Sequence, residues 1–219
     1  MRRRDSRGEP GDGDVRVDAY LRDADELVDL GCGDGSWLDA HPEPAAAIGI
    51  DIDATRRSGE APVRSWTFIR ADLDEGIPLA DGCASAVRAN QVVEHIRNPV
   101  RFFAEVYRIL RPGGVFVATT PNIRYAKHLL RLAIAGKGPM TSQRAERSAV
   151  DWDDGHIHFF TAHDLEWLAK TAGFSTYHTE ALVDLAGGFK AIRHALDRRR
   201  GSALVKGLLS GNLLLVARR

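Results

Sequence analysis

Three glycines at alternate positions follow a short apolar run near the start of this chain. Residues 28–37 read Val-Asp-Leu-Gly-Cys-Gly-Asp-Gly-Ser-Trp. A strand that turns at once into a helix needs residues that adopt positive φ at little cost, and glycine does so. Because glycine has no Cβ, a ligand can also approach the backbone amides of such a turn closely. The stretch therefore predicts a buried strand, a ligand-binding turn and a helix that begins at Ser36.

An acidic residue ends the next apolar run. Residues 47–50 are Ala-Ile-Gly-Ile, and Asp51 follows them, 22 positions after Asp29. In βαβ nucleotide sites an acid about 20 residues further on binds the ribose hydroxyls. The glycines here have the spacing G-x-G-x-G, whereas dinucleotide sites have G-x-G-x-x-G. This spacing disfavours an NAD-dependent oxidoreductase.

Short apolar runs alternate with helical patterns along the chain. The alternation predicts an α/β fold in which a mostly parallel sheet is doubly wound. The predicted strands cover residues 26–30, 47–51, 66–69, 84–89, 115–119, 175–183 and 212–217. The predicted helices cover residues 15–22, 36–40, 92–95, 99–110, 125–135, 161–172 and 189–200, with a continuation over 203–209.

One charged residue is out of place in this pattern. Arg88 falls within the fourth predicted strand. A central strand that is buried on both faces does not accommodate an unpaired charge. Either an acidic residue faces Arg88, or the strand bends at this point.

The composition is that of one ordinary globular domain. The chain has 219 residues, of which 44% are hydrophobic, and this length allows one α/β domain with a substantial core. Residues 1–14 are rich in Arg, Gly and Asp, so we expect a disordered tail there and a single domain over 15–219. No apolar run reaches the ~18–20 residues that span a bilayer. The opening Met-Arg-Arg-Arg is not followed by the apolar segment of a secretory signal.

Charge and cysteine content narrow the function classes further. Thirty basic and thirty acidic residues cancel, whereas proteins that bind nucleic acid usually carry a basic excess. Nucleic acid is therefore a disfavoured partner. The two cysteines, Cys32 and Cys83, form neither a disulfide framework nor a zinc-binding spacing. We expect a reducing, cytoplasmic location.

Two stretches resemble a known family. The glycine turn, together with Ile-Gly-Ile-Asp-Ile-Asp at 48–53, resembles motifs I and II of the class I S-adenosylmethionine-dependent methyltransferases. Residues 154–161, Asp-Gly-His-Ile-His-Phe-Phe-Thr, resemble an element of small-molecule methyltransferases of quinone, lipid and sugar biosynthesis. The resemblance implies a seven-stranded, mostly parallel Rossmann-like sheet with an antiparallel last strand. It also implies a single methyltransferase domain with a lid or acceptor insert at about 123–160.

The resemblance implies a binding site for S-adenosylmethionine. The glycine turn would lie under its methionine part, and Asp29 would accept a hydrogen bond from its ammonium, directly or through water. Asp51 would accept from both ribose hydroxyls, because the two oxygens of a carboxylate suit a vicinal diol. Ile52 would lie against the adenine. Cys32, inside the turn, is interpreted as a small packing residue and not as a nucleophile.

Further along the chain the resemblance implies the rest of that site. Asp72 would accept from the adenine amine, with help from the backbone amide of Leu73, and Asn90 and Gln91 would line the sulfonium end. The predicted cofactor-binding residues are Asp29, Gly31, Cys32, Gly33, Gly35, Asp51, Ile52, Asp72, Leu73, Asn90 and Gln91.

Two histidines are the candidate catalytic residues. His156 and His158 alternate, so they point to opposite sides if the segment is extended. One of them, with His156 favoured, could act as general base on an acceptor hydroxyl, since an ordinary imidazole pKa suits that task; the alternative is a structural histidine near a helix start. No metal site is assigned, although Asp153, Asp154 and the two histidines are residues that could hold a divalent cation. Glu94 and His95 fit a capping or packing role as well as a substrate role.

The sequence thus predicts an S-adenosylmethionine-dependent methyltransferase. The expected acceptor is a small-molecule hydroxyl on a sugar, quinone or secondary metabolite, and a homodimer is left open. Two other readings are a protein or RNA methyltransferase, and a partner subunit that binds S-adenosylmethionine without catalysis. Acceptor identity depends on residues 123–150, which carry no specific motif.

Overall fold

The described residues form one sheet with helices packed against it. The structure is a computed structural model that describes residues 12–41, 46–53, 66–138, 141, 152–182 and 204–219. The strands are β1 (Glu26–Leu30), β2 (Ala46–Asp51), β3 (Thr67–Arg70), β4 (Ala84–Asn90), β5 (Leu110–Pro121), β6 (Thr176–Leu182) and β7 (Asn212–Arg218). The helices are α1 (Asp12–Leu21), α2 (Ser36–Ala40), α3 (Pro99–Ile109), α4 (Ala126–Ala135) and α5 (Ala162–Ala172). Shorter helical turns cover Val93–His95, Trp152–Gly155 and Val205–Leu209. Not one of the helices described is long and apolar enough to cross a membrane.

The strand order is β3-β2-β1-β4-β5-β7-β6. The first five strands pair in parallel, whereas β7 is antiparallel to both β5 and β6. The predicted fold class is therefore confirmed. The chain leaves β1 towards β2 and β3 and then returns to β4 on the other side of β1. In open α/β sheets, ligands bind at the carboxyl ends of the strands where the order reverses in this way.

The first helix begins earlier than predicted. It starts at Asp12, so residues 12–14 of the predicted tail are helical. Residues 1–11 lie outside the described part of the chain, as does the predicted helix over 189–200. The prediction relied on the scarcity of apolar residues before Val15. The hydrogen bonds of a helix join backbone groups, however, so its first turn needs no apolar side chains.

β5 is longer than the predicted strand. Its pairing with β4 shifts between Ala84↔Leu110 and Ala86↔Val115, so the intervening residues 111–114 leave the regular ladder. Gly113 in this stretch has a φ of 80°. Such a bulge inserts extra residues without ending the strand. Residues 111–114, Arg-Pro-Gly-Gly, therefore lie inside a continuous strand.

The apolar stripe of α3 faces the core. Phe102, Phe103, Val106 and Ile109 are buried, as their 3–4 spacing predicts. The ring centroids of Phe103 and Phe116 lie 5.4 Å apart with their planes at 87°, an edge-to-face arrangement. This packing holds β5, and the carboxyl end of β5 carries part of the site described below.

The start of α5 is fixed by a capping box. The Thr161 hydroxyl accepts from the backbone N–H of Asp164, and the Asp164 carboxylate accepts from the backbone N–H of Thr161. Such reciprocal bonds satisfy two backbone donors at once. Because α5 begins at a fixed place, the segment 156–160 that precedes it is anchored at one end.

Arg88 faces an acidic residue, which decides between the two sequence alternatives. Its Nη1 lies 2.6 Å from Oδ1 of Asp29 on the neighbouring strand, and both side chains are buried. The Arg88 guanidinium also lies 4.0 Å from the ring centroid of Trp37 in α2, a cation–π arrangement. The carboxylate of Asp29 is thus held within the layer between the sheet and α2.

Candidate functional site

The glycine turn connects β1 to α2 at the point where the strand order reverses. Gly31, Gly33 and Gly35 all have positive φ, between 59° and 76°. A Cβ at Gly35 would overlap the ring of Trp66, whereas a Cβ at Gly33 would meet nothing within 4 Å. Packing therefore requires glycine at position 35. The absence of a side chain at position 33 leaves open space against the backbone, where a ligand can approach.

Asp51, at the end of β2, is bonded to the glycine turn. Its Oδ2 accepts from the backbone N–H of Gly33 at 2.8 Å, and its Oδ1 accepts from the backbone N–H of Asp53 at 2.9 Å. The ionised carboxylate has about four acceptor positions, so these two bonds leave acceptor capacity on both oxygens. The side chain is fixed beside the open space at Gly33.

The residues that follow β2 and β3 include an apolar and an acidic side chain. Ile52 follows β2 and is 57% exposed, which is unusual for a large apolar residue at a strand end. Asp72 follows β3, the neighbour of β2, and its Oδ1 accepts from the backbone N–H of Asp74 at 2.9 Å. Leu73 is half-buried against the core. An exposed apolar surface close to hydrogen-bond acceptors is suited to a planar heterocycle with an amino group.

Asn90 and Gln91 border the crevice at the end of β4. The Thr119 hydroxyl donates to Oδ1 of Asn90 at 2.5 Å, and the backbone N–H of Gln91 donates to the Thr119 carbonyl at 3.0 Å. Gln91 has a φ of 57°, a conformation that residues other than glycine adopt rarely. Such backbone outliers cluster at functional sites. The hydrogen bonds to Thr119 keep this turn in place.

Two predicted site residues are buried beneath the turn. Asp29 has no exposed surface, and its bond to a ligand's ammonium stays a prediction. Cys32 is also buried, and its burial and the Asp29 and Asp51 carboxylates raise its pKa to about 12. A thiol with that pKa is protonated at neutral pH and is not a nucleophile. Cys32 therefore packs the turn, as interpreted from the sequence.

A second group of residues lies over the carboxyl ends of β4 and β5. The backbone carbonyl of Glu94 accepts from the N–H groups of Ile157 and His158, at 3.0 and 3.1 Å. Further along, the N–H of Ile123 donates to the Phe160 carbonyl at 3.1 Å. The first two bonds attach the predicted histidine segment to the turn Val93–His95, and the third attaches its end to the residues after β5. Residues far apart in the sequence therefore meet beside the crevice.

Glu94 is the most deeply buried acid of this group. Its side chain is 1% exposed, and its Oε2 accepts from the Thr120 hydroxyl at 2.9 Å. Its Oε1 has no hydrogen-bond partner among the described residues. Burial raises the pKa of Glu94 to about 7, against the smaller opposing effect of its hydrogen bonds. A carboxyl that titrates near neutral pH in a cleft is typical of functional sites.

His156 joins Glu94, and His158 does not. Nε2 of His156 lies 4.0 Å from Oε1 of Glu94, and its ring centroid lies 4.8 Å from that of His95. His158 instead has its Nε2 3.4 Å from the backbone carbonyl of Arg97. The two histidines point to different neighbours, as their alternation predicts. Of these two candidate catalytic residues, His156 is the one beside Glu94, and a catalytic role for either stays a prediction.

The residues that the sequence suggests as metal ligands are Asp153, Asp154, His156 and His158, and the described structure does not bring them together as one cluster. Asp153 lies 3.8 Å from Nδ1 of His156 through its Oδ2, while His158 is directed elsewhere; the side chain of Asp154 is outside the described part of the structure. The residues that come together are Glu94, His95 and His156. In the sequence, Glu94 and His95 stand out only because they form a Glu-His pair directly after β4. Sequence alone does not show whether this pair has a substrate role or a capping or packing role.

The chain is similar to known methyltransferases. Residues 5–179 match a family model described as a methyltransferase domain. A relative from Mycolicibacterium smegmatis, named a probable S-adenosylmethionine-dependent methyltransferase, is 28% identical over 186 residues, 83% of this chain and 62% of the relative. A trans-aconitate 2-methyltransferase from Azoarcus is 30% identical over 142 residues, 63% of this chain and 54% of that protein. The chain therefore spans less than two thirds of the length of these curated relatives.

A solved structure supports the fold. An S-adenosylmethionine-dependent methyltransferase from Mesorhizobium loti aligns with a TM-score of 0.62 at 20% sequence identity. The alignment covers 94% of this chain and 96% of that one. The likeness at this identity concerns the arrangement of the sheet and helices.

Proposed function

Since the chain belongs to the S-adenosylmethionine-dependent methyltransferase family, we propose that it transfers a methyl group from that cofactor to a hydroxyl of a small molecule in the cytoplasm. The observation that carries the proposal is the open space over Gly33, bordered by the fixed carboxylate of Asp51. Sugars, quinones and secondary metabolites are the acceptor classes proposed, and residues 123–160 are proposed to recognise them.

The residues of the crevice fit S-adenosylmethionine. Nothing blocks the backbone at Gly33, which suits the methionine part, and Asp51 retains acceptor capacity for ribose hydroxyls. Exposed Ile52 offers an apolar surface to adenine, with Asp72 beyond it as an acceptor for the amine. Asp29 supports this site from below through its ion pair with Arg88.

The protein's task at the reacting end is to position the acceptor and remove its proton. When bound, S-adenosylmethionine supplies a methyl group on a sulfonium centre that an oxygen nucleophile displaces. Asn90 and Gln91 border this end of the crevice, and the segment at His156 is bonded to the turn that follows them. The Glu94–His156 pair fits two ways of removing the proton of the acceptor hydroxyl. In the first, the neutral imidazole of His156 accepts the proton. In the second, a cation bound by the pair lowers the pKa of the hydroxyl.

Substitution of Asp51 tests the cofactor site. The Asp51→Ala variant is expected to bind S-adenosylmethionine about 100-fold more weakly, because two hydrogen bonds to a charged group contribute about 1.5 kcal/mol or more each. Isothermal titration calorimetry measures the loss. Asp81→Ala is the control, since Asp81 is exposed and pairs with Arg108 instead. Unchanged affinity in Asp51→Ala would contradict the site assignment.

Substitution of Gly33 tests the open space itself. Gly33→Ala is expected to weaken S-adenosylmethionine binding at least tenfold, because the methyl group of alanine fills space that the ligand is proposed to occupy. Gly113→Ala is a matched control: Gly113 also has positive φ and open surroundings, but it lies in the bulge of β5. Both variants are expected to lose about 1–2 kcal/mol of stability from the left-handed backbone. Equal effects of the two on binding would contradict the prediction.

An acceptor screen tests the reaction. The protein is incubated with methyl-labelled S-adenosylmethionine and panels of sugars, quinones and other hydroxyl compounds, and labelled product is measured. Binding of the cofactor without product from any panel would favour the non-catalytic partner subunit. Binding of NAD but not of S-adenosylmethionine would refute the proposal.

A further inference from the structure

A carboxylate and two imidazoles meet where the acceptor would lie. Glu94, His95 and His156 each offer one ligand atom, and these three atoms lie within 4.8 Å of one another. We propose that the chain binds a divalent transition-metal cation between these three side chains. Binding of the cation is independent of the proposed function, whereas its role in turnover rests on it.

A hydrogen bond of His95 fixes its tautomer. Its Nδ1 lies 3.1 Å from the backbone carbonyl of Gly155. A carbonyl oxygen only accepts, so Nδ1 carries the proton and Nε2 of the neutral ring carries a lone pair. His95 is exposed, and a cation bound to it would keep coordination positions open to an incoming acceptor.

His156 is oriented by a chain of hydrogen bonds. Its Nδ1 lies 2.6 Å from the Thr141 hydroxyl, and that hydroxyl donates to Oδ2 of Asp153 at 2.8 Å. Because a hydroxyl has one proton and gives it to the carboxylate, it accepts from Nδ1 of His156. Nε2 is then the basic nitrogen on the side of Glu94. Metal-binding histidines usually have such a partner on their other nitrogen, often ending in a carboxylate.

The position of Glu94 supplies a separate argument. Its Oε2 is bonded to Thr120, but its buried Oε1 has no hydrogen-bond partner among the described residues. The 4.0 Å from Oε1 to Nε2 of His156 is too long for a hydrogen bond. A buried polar atom without a partner costs about 1–3 kcal/mol. A cation bound there satisfies Oε1 of Glu94.

The donor set identifies the class of cation. Two imidazoles and one carboxylate with open positions favour Fe²⁺, Mn²⁺, Co²⁺ or Zn²⁺ over Mg²⁺ and Ca²⁺, which prefer oxygen ligands. Metal–ligand bonds of about 2.0–2.2 Å place neighbouring ligand atoms about 3–3.5 Å apart. The 4.0 Å between Glu94 and His156 therefore closes with a small rotation of either side chain.

A cation here narrows the acceptor class. A hydroxyl that contacts the cation has a lower pKa and loses its proton to water more readily. An acceptor with two adjacent oxygens, such as vicinal hydroxyls or a hydroxyl beside a carbonyl, can contact the cation with both. Such chelation would also fix which oxygen faces the methyl group.

Cobalt binding to chelator-treated, untagged protein tests the inference. Co²⁺ is titrated and its visible absorption is followed, with Mn²⁺ as competitor. One equivalent is expected to bind, with affinity at least tenfold lower in Glu94→Gln, His95→Gln and His156→Gln. His158→Gln, on the same segment but outside the cluster, is expected to bind as the wild type does. If Glu94→Gln folds poorly, His95→Gln still tests the site, because His95 is exposed and its substitution leaves the core intact.

The outcomes separate this inference from the proposed function. Absence of Co²⁺ binding up to millimolar concentration, or wild-type affinity in all three cluster variants, would overturn the metal site. Calorimetry with S-adenosylmethionine in the presence of a chelator is run in parallel. Cofactor binding that survives in the cluster variants, together with their loss of Co²⁺ affinity, would support the metal site as a distinct element.

Discussion

Replacing His156 with glutamine is expected to lower kcat about 10²–10⁴-fold, the usual contribution of a group that handles the proton of a nucleophile. The affinity for S-adenosylmethionine is expected to stay within about threefold, since the predicted cofactor contacts lie on other residues. The measurement is initial-rate kinetics with the acceptor found in the screen, alongside calorimetry with the cofactor.

The physical reason is the position of His156 next to Glu94. Its side chain is largely buried, Thr141 fixes its ring, and its Nε2 faces the buried carboxyl at 4.0 Å. Glutamine has a similar length and keeps a polar end, but it neither accepts a proton at neutral pH nor binds transition metals well. The variant therefore removes the chemistry while filling most of the space.

His158→Gln is the control for this prediction. His158 belongs to the same segment, but its Nε2 is directed to the Arg97 carbonyl. Its kcat is expected to remain within about threefold of the wild type, because it does not contact the Glu94 cluster. An equal loss of kcat in both histidine variants would mean that the segment matters only as a lid and would contradict the role of His156.

Replacing Arg88 with methionine is expected to lower the free energy of unfolding by about 3–5 kcal/mol, because it leaves the buried Asp29 carboxylate without its cation. Arg88 and Asp29 are almost completely buried, and the Arg88 guanidinium also packs on Trp37. For a chain of this length each kcal/mol shifts the Tm by about 2–4 °C, so a fall of about 6–20 °C follows. Urea denaturation and a thermal scan measure the two quantities.

Arg97→Met is the matched control for Arg88→Met. Arg97 is 78% exposed and lies 3.6 Å from Asp74, and such surface pairs contribute at most about 1 kcal/mol. The double variant Asp29→Leu/Arg88→Met removes both buried charges and is expected to recover most of the stability, because apolar side chains can replace a buried ion pair. A loss in Arg88→Met no larger than in Arg97→Met would contradict the prediction.

The glycine turn and the position of Asp51 could be predicted from local sequence. A glycine turn after a short strand requires positive φ at close intervals, and the structure has it at Gly31, Gly33 and Gly35. Asp51 was predicted to lie at the end of β2, and it does. The register of a parallel sheet then brings neighbouring strand ends together, so the assembly of this crevice follows from strand order alone.

The cluster of Glu94, His95 and His156 could not be predicted in the same way. Glu94 and His95 follow β4, whereas His156 precedes α5, and no periodicity links such distant positions. Their meeting depends on the hydrogen bonds from Ile157 and His158 to the Glu94 carbonyl. The burial that raises the pKa of Glu94 to about 7 is likewise a property of the folded chain.

The sequence by itself determined the order of strands and helices, the apolar face of α3 and the glycine turn, because each depends on residues within a few positions of one another. The tertiary structure decided the partner of Arg88, the burial of Asp29, and the position of His156 beside Glu94. Each of these is a contact between side chains that are far apart along the chain. Only the packed sheet fixes which of them meet and how much water reaches them.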